Sequence, residues 1–161
     1  MQLSVLFLCT GNSARSIMAE AMLNHLGRGR FQAHSAGSHP TGKVNPLAIE
    51  TLERLGFSTH GLRSKAWDEF GAAGAPAIDC VITVCDNAAA ETCPVWPGKP
   101  VTAHWGVEDP AAMQGNDTEM REAFERAAGI LKRRIERLLE LPLDPLDPAA
   151  LRSKLREIGK Q

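Results

Sequence analysis

The sequence predicts an α/β domain, a four-stranded parallel sheet doubly wound into a three-layer sandwich. Three observations carry this expectation. Apolar runs of strand length alternate with longer segments of helical period. The first and third runs are almost continuously apolar, as strands covered on both faces are. The first strand, a small polar loop and a helix also follow one another directly over residues 3–26, the arrangement that places a ligand site at the carboxyl end of such a sheet.

Residues 3–8 are apolar apart from Ser4 and too short for a helix, so they read as the buried central strand. Over residues 17–26, Ala19, Met22, Leu23 and Leu26 share one helical face that stops at Gly27. Phe31, Ala33 and Ser35 alternate along a second strand, closed by turn residues 37–42. Asn45 caps a helix with Pro46 in its first turn, Ala48, Leu52 and Leu55 on its inner face and Gly56 at its end. Residues 64–70 are expected as a short helix with Trp67 and Phe70 inward, stopped by the Gly/Ala/Pro stretch 71–77. Residues 78–84 and 100–104 read as the third and fourth strands. Phe124, Ala127, Leu131, Ile135 and Leu138 trace a long helix from about Thr118 to residue 139, capped by Asn116 or Asp117. The repeated Leu-Asp-Pro after Pro142 breaks the pattern, and Asp147-Pro148 caps a small final helix. The expected division is one domain over residues 1–140, with residues 141–161 as a C-terminal extension packed on or beside it.

With 161 residues, 43 % of them hydrophobic, the chain is long enough for one proper core. Its formal charge of −1 and lack of a dense Lys/Arg run argue against a nucleic-acid surface. No stretch approaches a membrane span, and no basic leader precedes the apolar N-terminal run. A cytoplasmic monomer is expected, a setting in which its four cysteines, Cys9, Cys80, Cys85 and Cys93, stay reduced unless they do redox work.

The chemistry concentrates in the loop Cys9-Thr10-Gly11-Asn12-Ser13-Ala14-Arg15-Ser16. A short loop ending at a helix N-terminus turns backbone N–H groups inward, so one tetrahedral oxyanion can collect several of them. Gly11 permits the tight turn. Arg15, six residues after Cys9, can hold two anion oxygens with its planar fork. An ordinary thiol is only ~3 % ionised at neutral pH, so a nucleophilic cysteine needs such a field, helped here by the hydroxyls of Ser13 and Ser16. Cys9 is the expected nucleophile, and Thr10, Gly11, Asn12, Ser13, Ala14 and Arg15 the anion cradle. A nucleotide-binding P-loop is disfavoured, since no Gly-Lys-Ser/Thr closes the loop.

Two cysteines eight apart, Cys85 and Cys93, follow the third strand in a polar segment and can pass oxidation from one sulfur to the next. A zinc site from Cys80, Cys85, Cys93 and His104 lacks the close Cys-x2–4-Cys pairs of structural zinc, and no metal is expected. Cys80, inside an apolar strand, reads as packing. Asp109 is the candidate proton donor to a departing oxygen, with Glu108 a weaker rival. A turn or capping aspartate before Pro110 is the alternative.

The Cys9–Ser16 loop, Ser35-Ala36-Gly37, Asn45-Pro46, the Cys85/Cys93 pair, His104-Trp105-Gly106 and Asp109-Pro110 together resemble the thioredoxin-coupled arsenate reductases. These share the flavodoxin-like fold of the low-molecular-weight protein tyrosine phosphatases, and the match covers roughly residues 3–140. The resemblance implies a three-cysteine relay. Cys9 attacks arsenate while Asp109 protonates the departing oxygen, Cys85 displaces arsenite and forms a disulfide with Cys9, and Cys93 moves that disulfide outward. An external dithiol, thioredoxin or glutaredoxin, then reduces it, with no tightly bound cofactor. Phosphate and sulfate are the expected substrate analogues.

Three positions depart from the family pattern. Ala14 stands where many relatives carry another cysteine, and the Cys85–Cys93 interval is one residue longer. Some relatives hold potassium beside the loop. Asn12, Glu20 and Ser35 match that shell, but Lys65 stands where an acid is expected, which implies that its ammonium replaces the ion. The alternative activity is hydrolysis of phosphotyrosine or small phosphoesters by Cys9, Arg15 and Asp109. Against it, Ala111 follows Asp109-Pro110 where such phosphatases use tyrosine to line an aryl pocket, and the chain contains no tyrosine. A non-catalytic oxyanion or redox sensor is the third reading.

Overall fold

The computed structural model describes residues 2–72, 74–85, 100–142 and 147–161. Among them, four parallel strands form one sheet in the order β2-β1-β3-β4: β1 (Leu3–Cys9), β2 (Phe31–Gly37), β3 (Cys80–Thr83) and β4 (Val101–His104). Strand β1 is central, with Val5, Leu6, Phe7 and Leu8 wholly buried, each worth about 1.5–3 kcal/mol against exposure. Its neighbours lie in register Cys9↔Gly37 on one side and Leu8↔Thr83 on the other. The chain leaves β1 toward β2 first and later returns to β1's opposite edge for β3. That reversal puts the loop after β1 at the topological switch point, where open parallel sheets bind ligands.

Helix α1 (Arg15–Leu26) is buried at Ser16–Ala19 and Ala21–Leu23, so it is a core helix rather than a surface one. It packs on β1 and β2 and against α2 (Pro46–Arg54) and α4 (Asp117–Leu139). Asn45 caps α2 as expected, its side chain accepting from Leu47 N–H at 2.9 Å. Asn116, not Asp117, caps α4 through a reciprocal box with Glu119. The final helix, α5 (Pro148–Gly159), starts from the Asp147 cap and buries Leu151, Leu155 and Ile158 against β4 and α4.

The expected helix over residues 64–70 shrinks to α3 (Asp68–Gly71). The backbone before it is used elsewhere: Gly37 N–H bonds the Lys65 carbonyl and Trp67 N–H bonds the Gly37 carbonyl, a strand-like bridge between Gly37 and Ala66. Phe70 is buried as expected and Trp67 partly so. Helix α1 begins two residues earlier than its periodicity indicates, because Arg15 and Ser16 belong to its first turn. Among the described residues no helix is long and apolar enough to cross a membrane.

Candidate active site

The loop between β1 and α1 keeps its shape because its outer carbonyls are engaged from outside. His39 N–H bonds the Thr10 carbonyl at 2.9 Å, Thr41 N–H the Gly11 carbonyl at 3.0 Å and Asn45 N–H the Ser13 carbonyl at 2.8 Å. The Ser64 hydroxyl also donates to Gly11 O at 3.3 Å. Between these outward-tied carbonyls Asn12 takes the left-handed conformation (φ 45°), one that lets successive backbone N–H groups of a turn converge on an anion. Among the described residues no side chain caps the first turn of helix α1. The N-terminal donors there are left for a ligand rather than for a Ser or Asp cap.

The buried Cys9 Sγ lies 2.9 Å from Ser16 Oγ and accepts Asn12 N–H at 3.2 Å. Ser16 is fixed in turn by Asn12 Nδ2 at 2.7 Å, and Asn12 Oδ1 accepts the Lys65 N–H at 2.8 Å. Of the two serines expected to support the sulfur, Ser16 is the one placed against it.

Cys85, also buried, reaches the same loop from the end of β3. Thr10 N–H donates to Cys85 Sγ at 3.2 Å, and Thr10 Oγ1 lies 3.5 Å from that sulfur. Thr10 therefore gives its amide to the second thiol rather than leaving it open to the anion. Cys93 lies outside the described residues. Cys80 faces the core, where burial, with some help from Asp79, pushes its thiol up to about 12. It stays a neutral packing group.

Arg15 Nη1 donates to the Val107 carbonyl at 2.9 Å, and Nη2 lies 3.7 Å from Asp109 Oδ2. The guanidinium thus joins the anion loop to the segment carrying Asp109. Asp109 also performs the capping role offered as its alternative, accepting Ala111 N–H at 3.0 Å through Oδ1. Its side chain, 44 % exposed, keeps access to solvent and to the loop mouth. His104 bonds Thr83 Oγ1 through Nδ1 at 2.7 Å.

Asn12, Glu20 and Ser35 do come together, but around Lys65. Ser35 Oγ donates to Glu20 Oε1 at 2.6 Å, and Lys65 Nζ lies 3.6 Å from that oxygen while donating to the Arg63 carbonyl at 3.1 Å. Burial lowers the Lys65 ammonium from its ordinary range, and Glu20 works against that shift. The Lys65 ammonium thus stands against the one carboxylate of this group. The roles of two contributors went unrecognised in the sequence. Segment 39–45 backs the loop through main-chain atoms, which residue types do not reveal. Gly37 passes so close that a Cβ there would stand 2.5 Å from Thr10 O and 2.9 Å from Cys9 O; the sequence offered it within Ser35-Ala36-Gly37, with no sign that this close approach is what requires glycine.

The chain is similar to several known proteins. The family model described as low molecular weight phosphotyrosine protein phosphatase matches residues 4–154. The arsenate reductase of Halalkalibacterium halodurans is 35 % identical over 136 residues, 84 % of this chain and 94 % of that one. The glutaredoxin arsenate reductase of Synechocystis is 32 % identical over 84 % of this chain and 95 % of its own. Among solved structures, the thioredoxin-dependent arsenate reductase of Corynebacterium glutamicum superposes with a TM-score of 0.56 at 26 % identity, covering 84 % of this chain and 62 % of that one.

Proposed function

This chain belongs to the low molecular weight phosphotyrosine protein phosphatase family, and we propose that within it the chain is an arsenate reductase. The observation that carries this reading is that one anion loop holds two thiols, Cys9 through Asn12 and Ser16 and Cys85 through Thr10. Phosphoester hydrolysis uses one sulfur and leaves the second without a task.

The inward amides and Arg15 bind the arsenate dianion. Cys9, as thiolate, attacks arsenic, and the expelled oxygen leaves as water with the proton from Asp109. Cys85 then attacks Cys9 Sγ. As the new S–S bond forms, the S–As bond breaks and its electron pair stays on arsenic, which falls from As(V) to As(III) and departs as arsenite. Cys93, eight residues further on, attacks Cys85, frees Cys9 and carries the disulfide outward.

An external thiol reductant closes the cycle, and thioredoxin is the reductant we propose. The Corynebacterium relative is thioredoxin-dependent, while the Synechocystis one is a glutaredoxin arsenate reductase, so glutaredoxin is the comparison to run. The Lys65 ammonium takes the place of the potassium ion beside the loop.

The test is arsenate-dependent NADPH consumption with thioredoxin and its reductase. Cys9→Ser and Cys85→Ser abolish it, and Cys93→Ser permits about one turnover before stalling. Full turnover of a phosphoester by both the Cys85 and Cys93 variants, with no thiol oxidation by arsenate, would hand the assignment to the phosphatase reading.

A further inference from the structure

The segment that leads to Asp109 is gripped from two sides. On the sheet side, Trp105 N–H bonds the Thr83 carbonyl at 2.7 Å, Val107 N–H bonds the Val84 carbonyl at 3.0 Å, and Arg15 holds the Val107 carbonyl. These contacts belong to the site already described.

The opposite side is held by α5 and one arginine of α4. The wholly buried Trp105 donates its indole N–H to the Leu155 carbonyl at 2.8 Å. Gly159 approaches so closely that a Cβ there would overlap the His104 carbonyl oxygen and stand 2.8 Å from Trp105 Cδ1. Arg134, only 9 % exposed, donates Nη1 to the Gly106 carbonyl at 3.0 Å and Nη2 to a main-chain oxygen of Gln161 at 3.3 Å. Residues 104, 105 and 106 are thus each fixed by this layer, immediately before the segment that meets Arg15 and the acid.

Arg134 is an expensive way to stabilise a helix junction. Burial, with the neighbouring Arg133, works against its charge, and its Nε is buried with no partner among the described residues. A methionine or leucine of similar volume would fill the same interior without those costs. What an apolar side chain lacks is the planar fork, which spans the Gly106 carbonyl and a main-chain oxygen of Gln161.

We propose that Arg134 and Gly159 are positioning residues for proton donation: through them α5 sets the height of the segment after β4, and hence where Asp109 stands relative to Arg15 and the bound oxyanion. This rests on the reading of Asp109 as the acid. Misplacing a donor by about 1 Å is enough to cost orders of magnitude in rate while leaving anion binding intact.

The experiment is a double-mutant cycle on the single-turnover rate of arsenate-driven Cys9–Cys85 disulfide formation in the full-length enzyme. Arg134→Met is expected to lower the saturating rate about tenfold, with half-saturating arsenate changed less than twofold. Arg134→Lys, which keeps the charge but reaches one of the two oxygens at a time, recovers part of the loss. Asp109→Asn is slow, and adding Arg134→Met makes it no slower, because a donor that is absent cannot be misplaced. If the two losses multiply, or if Arg134→Met keeps the wild-type rate at a lowered Tm, Arg134 serves stability alone and the proposal falls. If Asp109→Asn itself keeps the wild-type rate, the acid assignment fails first and takes this inference with it. Should Arg134→Met not fold, Gly159→Ala replaces it in the cycle: no added loss beside Asp109→Asn supports the positioning role, and multiplied losses overturn it.

Discussion

The backbone N–H of Thr10 points at Cys85 Sγ, 3.2 Å away, so the second thiol is held by the very loop that holds the first. Parallel pairing of β1 with β3 forces this proximity: the register Leu8↔Thr83 brings both strand ends to the same edge of the sheet.

In the proposed relay, Thr10 therefore acts on the second chemical step more than on the first. Thr10→Val removes the hydroxyl 3.5 Å from Cys85 Sγ but keeps the amide. Disulfide formation after arsenate addition, followed by rapid quench and mass spectrometry, should slow about fivefold, the worth of one hydrogen bond near 1 kcal/mol. Alkylation of Cys9 in the absence of arsenate should be unchanged. An unaltered quench time course would show that the hydroxyl contributes nothing to Cys85.

Gly37 sets how close β2 comes to the loop. A methyl group at this position cannot be accommodated without moving Thr10 or Cys9, since both carbonyl oxygens stand within 2.9 Å of it. Gly37→Ala should lose about 2 kcal/mol of stability, as overpacked sites do, and arsenate turnover should fall more steeply than the change in folded fraction explains. Retention of wild-type kcat/KM would refute the close approach.

Lys65 and Glu20 form a buried pair, their side chains 8 % and 12 % exposed. Lys65→Met leaves Glu20 uncompensated and should cost about 3 kcal/mol, and Glu20→Gln added to it should recover most of the loss. The wild-type Tm should not distinguish potassium chloride from sodium chloride at equal ionic strength, whereas Lys65→Met should gain stability in potassium. A clear potassium-specific rise in the wild type would mean that the ammonium does not replace the ion.

Cys80 gives the pH prediction. Its thiol is pushed from about 9.0 to about 12 by burial, so the native state keeps a proton that the unfolded chain releases. The resulting stability is complete below pH 9.0 and is lost as pH rises toward 12. Cys80→Ala should flatten that alkaline decline in chemical denaturation, and Cys80 should escape iodoacetamide in the native protein at about pH 8, below its raised pKa. Rapid native labelling of Cys80 would contradict its burial.

Much of the site is legible in the sequence because it is local. The spacing from Cys9 to Arg15 lies within one loop and one helical turn, where chain geometry alone decides which groups can meet. The α4 stripe and the Asn45-Pro46 cap are equally local, and both form. The shortened helix over residues 64–70 has a non-local cause: a helix there competes with pairing of Lys65 and Trp67 to Gly37, and the distant partner wins.

By itself the sequence determined the parallel α/β plan, the strand–loop–helix unit around Cys9 and Arg15, and a second cysteine at the end of a neighbouring strand, since each follows from periodicity or short spacing. Tertiary structure alone decided which hydroxyl meets Cys9, that Thr10 turns its amide to Cys85, that Lys65 sits with Glu20, and that the last helix braces the segment before Asp109. Most of these contacts join residues tens of positions apart, and only the packed sheet brings their atoms within hydrogen-bonding range.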